Sequence, residues 1–172
     1  MHKLTPLSGA LAAVMIASAL SGCGGRGVEP VSGSTTRNAQ TSTEAKADAG
    51  AAYSGIVAKY RIAGSAYMNV VNQPSHVPAV PANFRAAARA VSAAETTQVA
   101  EYRAYKQWPQ SMKPWMDQLI AQKVIMASSH LQMSGATSWV SWNNGGARQD
   151  AAAREATRLS ALIRQDLGLP AQ

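Results

Sequence analysis

Met126, His130 and Met133 are the residues whose types and spacing come nearest to a chemical site in this chain. At i, i+4 and i+7, a continuous helix sets all three on one face. Two thioethers and an imidazole suit Cu(I), and a Met or His also serves as an axial haem ligand. Spacing along one helix does not bring ligands to a common point, however, because the three positions climb roughly 10 Å of axis at about 1.5 Å per residue. Methionine also fills irregular gaps in apolar cores, and Met112 and Met116 lie close by in the chain. Packing is therefore the simpler expectation, with no metal ligand and no cofactor.

Other chemistry is sparse. Cys23 is the single cysteine, which rules out a thiolate zinc site and a Cys-x-x-Cys-His haem attachment. There is no Glu-x-x-His pair for a carboxylate di-iron bundle, no Gly-x-Ser-x-Gly and no P-loop. The 9 acidic residues are scattered, and no histidine can be paired with Ser54 or Ser65. No catalytic residue is nominated, and a non-enzymatic protein is expected. The segment Trp108 to Trp115, with two tryptophans, two prolines and a lysine, is either a partner-facing edge or a cover for one end of the fold. Covering is the expectation.

The elements that would position these groups read as helices. One Phe (Phe84), abundant Ala and the absence of alternating strand-length patterns point that way. Thr41-Ser42-Thr43-Glu44 has capping-box spacing, so a first helix is expected from about Thr41, with Tyr53, Tyr60 and Tyr67 recurring every seven residues on its inner face. Pro74, Pro78 and Pro81 break it, leaving His76 in a loop. A second helix runs from Pro81 to about Gln107 on the stripe Phe84, Ala88, Val91, Ala94 or Glu95, Gln98, Tyr102 and Tyr105. A third starts at Ser111 or Pro114, with Met116, Leu119, Ile120, Val124, Ala127 and Leu131 as its stripe. A fourth begins near Ser138. Asn143-Asn144-Gly145-Gly146 has turn composition, yet a seven-residue spacing carries through it as Trp142, Gln149, Ala156 and Ile163, so a break and a continuous helix are both open. Asp166-Leu167-Gly168-Leu169-Pro170 is a helix stop with Gly as the left-handed cap. The expected fold is an all-α, up-down-up-down four-helix bundle over residues 42–172; a three-helix bundle plus a helical hairpin is the alternative.

The N-terminus supplies an address. His2 and Lys3 precede an apolar run from Leu7 to Ala19, of signal-peptide length and short for a bilayer span. Leu20-Ser21-Gly22-Cys23 follows and resembles the bacterial lipobox, so the chain is similar to bacterial lipoproteins. That resemblance implies removal of residues 1–22, acylation of Cys23, and a place on the extracytoplasmic face of a cell membrane, or on the outer membrane of a Gram-negative cell. Acyl chains contribute about 0.8 kcal/mol per buried methylene, so two or three make a firm anchor. Residues 23–41, rich in Gly, Ser, Thr and Asn, are expected to be a flexible tether. The Leu-Gly-Leu-Pro ending after an Ala- and Arg-rich helix also resembles small helical envelope lipoproteins of high-GC actinobacteria, most of which have no assigned activity.

With 16 Lys and Arg against 9 Asp and Glu, the chain carries a formal net charge of +7, spread as single residues. That pattern is a solvated surface more readily than a nucleic-acid footprint, and no nucleic acid is expected as a partner. The function expected is a membrane-anchored envelope lipoprotein whose basic bundle binds or scaffolds another envelope component. Its alternatives are a carrier of a small apolar ligand or metal, and an enzyme with an unrecognised site. A cavity with converging polar groups favours the carrier; His76 or His130 beside an acid in a cleft favours the enzyme.

Overall fold

The structure is a computed structural model that describes residues 33–73, 75 and 77–171, with side chains from residue 42 onward. Residues 1–22, Cys23 and His76 lie outside the described residues, and so do the expectations attached to them. Four helices follow one another: α1 (Gly33–Val71), α2 (Ala82–Ala104), α3 (Lys113–Ser134) and α4 (Trp139–Asp166). There is no strand among the described residues, and the fold is an all-α four-helix bundle. None of the described helices is long and apolar enough to cross a membrane.

Helix α1 starts at Gly33, earlier than the capping box at Thr41 suggests, so residues 33–41 are helical where a tether was expected. Extending an existing helix costs far less than nucleating one, and weak helix formers such as Ser and Thr join it readily. Helix α2 stops at Ala104, short of Gln107. Its last turn is covered by the Trp108 indole, which donates to the Tyr102 carbonyl at 3.0 Å. Pro114 sits in the first turn of α3, where a missing N–H costs nothing. Ser138 caps α4 by accepting from the Ser141 N–H.

Helix α4 runs unbroken through Asn143–Gly146. A Cβ at Gly145 would lie 2.5 Å from Met133 Cγ and 3.3 Å from the Ser129 carbonyl oxygen, so the glycine is what lets α3 and α4 touch. At the other end, Gly168 has φ +67 and the Leu169 N–H bonds the Arg164 carbonyl at 2.8 Å, a Schellman closure of α4.

The core has two parts. The larger collects Tyr53, Tyr102, Met116, Leu119, Leu159 and Ile163. The smaller, at the opposite end, is aromatic: the Phe84 ring lies 5.9 Å from Trp139 and 5.8 Å from Trp142. Trp108 and Trp115 pack against the larger part and cover its end. A side chain such as Leu159, fully buried, contributes about 1.5–3 kcal/mol.

Candidate functional site

The inner face of α3 is Met116, Leu119, Lys123, Met126, His130 and Met133, all buried. It alternates three- and four-residue steps, which is the coiled-coil seam. The stripe expected from apolar residues alone goes out of phase half-way: Val124 is 42% and Leu131 59% exposed. Lys123 and His130 hold the inward positions instead. Across the bundle, α2 presents Glu95 and Gln98 on the stripe Phe84, Ala88, Val91 and Tyr102, so polar side chains from two helices meet in the middle of the interior.

Glu95 is completely buried and shares its two oxygens. His130 Nδ1 lies 2.8 Å from Oε2, and the Tyr60 hydroxyl donates to Oε1 at 3.0 Å. The Tyr67 ring and the His130 imidazole meet edge to face, centroids 4.9 Å apart. Three helices are thereby tied through one carboxylate. Burial, and then Glu95, raise the Tyr60 hydroxyl above its ordinary value; Tyr67 is pushed up to about 12, first by burial and then by Asp150 and Glu95. The Lys123 ammonium sits 4.1 Å over the Tyr60 ring centroid, a cation–π contact. Its burial lowers its pKa, and Glu95 opposes that shift. Gln98 donates from Nε2 to the Tyr102 hydroxyl at 3.2 Å, while its carbonyl oxygen is buried without a partner. His130 Nε2 and Ser129 Oγ are buried without partners as well.

Lys123, Tyr60 and Gln98 also meet a cleft. Helix pairs α1–α2, α2–α3 and α3–α4 pack closely along the bundle, but α1 and α4 do not. Their seam is latched at one end, where Lys46 Nζ reaches Asp166 Oδ1 at 2.9 Å and Leu169 covers Gly50. Beyond the latch the Tyr53 hydroxyl meets Ser160 across the seam, and cavities open around that contact. A cavity of about 450 Å³ runs in from α1 to Gln98, Tyr102, Lys123 and Ser160. Another of about 710 Å³ adjoins it through Tyr60, Lys123 and Ser160, and is walled by Met126, Ala153, Ala156 and Leu169. A third, of about 670 Å³, lies along the α1 face with Arg61 and Arg164. Among the described residues, none of those lining the three is acidic.

The expected trio divides. Met126 belongs to the larger core and Met133 to the smaller, with His130 between them turned to Glu95. All three are buried, as packing requires. Among the described residues, no three His, Cys, Asp or Glu gather where they could hold a metal ion. His130 stands beside an acid, but it does not line the cleft. Lys123 and Gln98 were missed as site residues. Their signal is a polar residue at an inward position of an otherwise apolar seam, visible once the three–four spacing is extended through Met116, Leu119 and Met126. No protein-family model matches the chain, and neither a curated protein nor a solved structure is detectably similar to it.

Proposed function

We propose that this chain is a lipid-anchored extracytoplasmic protein, cut before Cys23 and acylated there, whose bundle is a non-enzymatic module that binds an envelope component in the α1–α4 cleft. The sequence supports the anchor through Leu20-Ser21-Gly22-Cys23 and the apolar run before it. One observation carries the binding reading: the α1–α4 seam opens onto polar groups that converge on its floor. A purely structural bundle gains by closing such a seam with apolar side chains, whereas ligand sites are concave, largely apolar and furnished with a few placed polar groups. Cavities of about 450 and 710 Å³ fall in the size range of small-molecule sites.

The Glu95–His130 pair favours an enzyme as the second reading, since a carboxylate on Nδ1 is how a working imidazole is oriented. A general base must reach its substrate within hydrogen-bond distance, however, and His130 is only 1% exposed. The pair serves the binding reading as the rigid support behind Tyr60 and Lys123.

The reading is tested on full-length protein expressed in a bacterium and extracted from its envelope. Cys23→Ala should leave uncleaved precursor without acyl label, and a normal lipidated mass from that variant contradicts the anchor. For the cleft, native mass spectrometry of the wild-type protein should show a bound component that denaturation releases. Ser160→Trp, which fills the junction of the two inner cavities, should remove it. A wild-type mass equal to the lipidated chain alone, in every preparation, ends the binding reading.

A further inference from the structure

The charges around the inner cavity are settled among the protein's own groups. The Lys123 ammonium lies over the Tyr60 ring, and Glu95 favours its charged form. Arg164 donates to the Pro170 carbonyl, and Arg61, which lines the same cavity, is engaged as well. A carboxylate or phosphate therefore finds no cation without a partner, and an ammonium finds no acid among the described lining residues. What is unspent is a hydrogen-bond acceptor. The Gln98 amide donates to the Tyr102 hydroxyl at 3.2 Å, but its carbonyl oxygen has no partner in a side chain only 3% exposed. Stranding a buried acceptor is costly, and a ligand that brings a donor removes the cost. The rest of the lining repeats this neutral, polar chemistry. Ser65 and Asn69 stand at the exposed edge of the inner cavity on α1. Gln149, Thr157 and Gln165 wall the outer cavity, which adjoins the inner one at Tyr60, Lys123 and Ser160. Hydroxyls and amides both give and take hydrogen bonds. Their complement is a ligand dense in hydroxyls, each of which gives and takes from a single atom. Val57 and Met68 offer apolar contact to the C–H face that such a ligand also carries.

Resting on the reading of this cleft as a ligand site, we propose that it binds a neutral saccharide. One sugar ring occupies the inner cavity with a hydroxyl donating to Gln98 Oε1, and the chain continues past Ser160 into the outer cavity. The inner space, about 450 Å³, suits a single small ring, and the outer, about 710 Å³, leaves room for more. Asn69 and Ser65 bond the hydroxyls nearest solvent. No ionic contact contributes, so affinity is independent of salt.

Two measurements test the class of ligand. The component that denaturation releases from the wild-type protein should yield neutral monosaccharides on acid hydrolysis. The full chain in lipid nanodiscs, with empty nanodiscs as the blank, is also applied to an array of neutral and acidic oligosaccharides, and the best-bound glycan is titrated calorimetrically. Neutral glycans should be retained, with the same affinity at low and high salt. The permethylated form of the best-bound glycan, which keeps the rings and loses the donors, should not bind. Gln98→Leu should weaken binding several-fold to about tenfold, the scale of one hydrogen bond. Because Gln98 is buried, Asn69→Ala is the second variant: its side chain is exposed, so it should melt with the wild type and still bind several-fold more weakly. Preference for acidic glycans, affinity that falls with salt, or full binding of the permethylated form overturns the proposal, and so does full affinity in both variants. A released component that contains no sugar but is lost in Ser160→Trp overturns the saccharide and leaves the cleft a ligand site. Failure to find any co-purified component counts instead against the cleft itself.

Discussion

At the scale of single residues, the carboxylate of Glu95 is the most connected group in the interior. Removing one member of a buried, hydrogen-bonded set leaves the others desolvated and unpaired, which costs about 3–5 kcal/mol. His130→Ala and Glu95→Leu should each cost that much in chemical denaturation. Replacing the whole set with apolar groups of similar volume, in Tyr60→Phe/Glu95→Leu/His130→Leu, should cost less than either single change, because nothing polar is stranded. Additive losses across the triple variant would show that the three side chains do not act as a unit. The inward place of Gln98 on α2 was legible by spacing alone, and Glu95 shared its place on that stripe with Ala94. Lys123 was not: counting apolar residues on α3 favours Val124 and Leu131, and the true seam becomes visible only if a lysine is allowed inside.

Helices were the most legible feature. The breaks at Pro74–Pro81 and Trp108–Pro109 and the Gly168 cap follow from local backbone chemistry and stand where proline and glycine put them. Composition misled at one place and left another undecided between turn and helix. The Ser- and Thr-rich stretch before Ser42 is helical, and Asn143–Gly146 is the inside of a helix because Gly145 faces a neighbour. The two glycines of α4 therefore predict opposite outcomes. Gly145→Ala drives a methyl into Met133 and the Ser129 carbonyl, an overpacking cost of about 1–3 kcal/mol set against a helix-propensity gain of about 1 kcal/mol. It should come out neutral to destabilising. Gly146→Ala meets nothing within 4 Å and should stabilise by roughly 0.5–1 kcal/mol. Thermal melts of the two variants side by side check the pair, and stabilisation by both would mean the α3–α4 approach is looser than described.

For the molecule as a whole, the buried tyrosines set the alkaline limit. Each is a group whose folded pKa lies above the ordinary value of 10, so the unfolded chain releases its proton first. Their contribution to stability is complete below pH 10 and declines as pH climbs past it toward the folded values, near 12 for Tyr67. Lys123 acts with the opposite sign: its folded pKa is lowered, so its burial penalty eases as pH approaches 10.5 from below. Denaturation midpoints should therefore fall steeply above pH 10, with tyrosinate absorbance rising in the same transition. Tyr60→Phe should make the fall shallower. Gradual tyrosinate formation with the fold intact would contradict the burial of these hydroxyls. The cleft itself could not be read from sequence, because it depends on how far two helices diverge.

The incomplete α1–α4 seam also bears on how the chain finds its fold. Close packing links α1 to α2, α2 to α3 and α3 to α4, each the next helix along, so the closest backbone approaches join neighbours in sequence. Such chains have low contact order and fold in about microseconds to milliseconds. The latch between Lys46 and Asp166, 120 positions apart, joins the two helices most distant in the chain. Closing so long a loop is entropically the most expensive step and is deferred until the hairpins exist. Asp166→Asn should accordingly quicken unfolding while leaving the folding rate almost untouched, and the last event in assembly would be the one that gives the cleft its closed end.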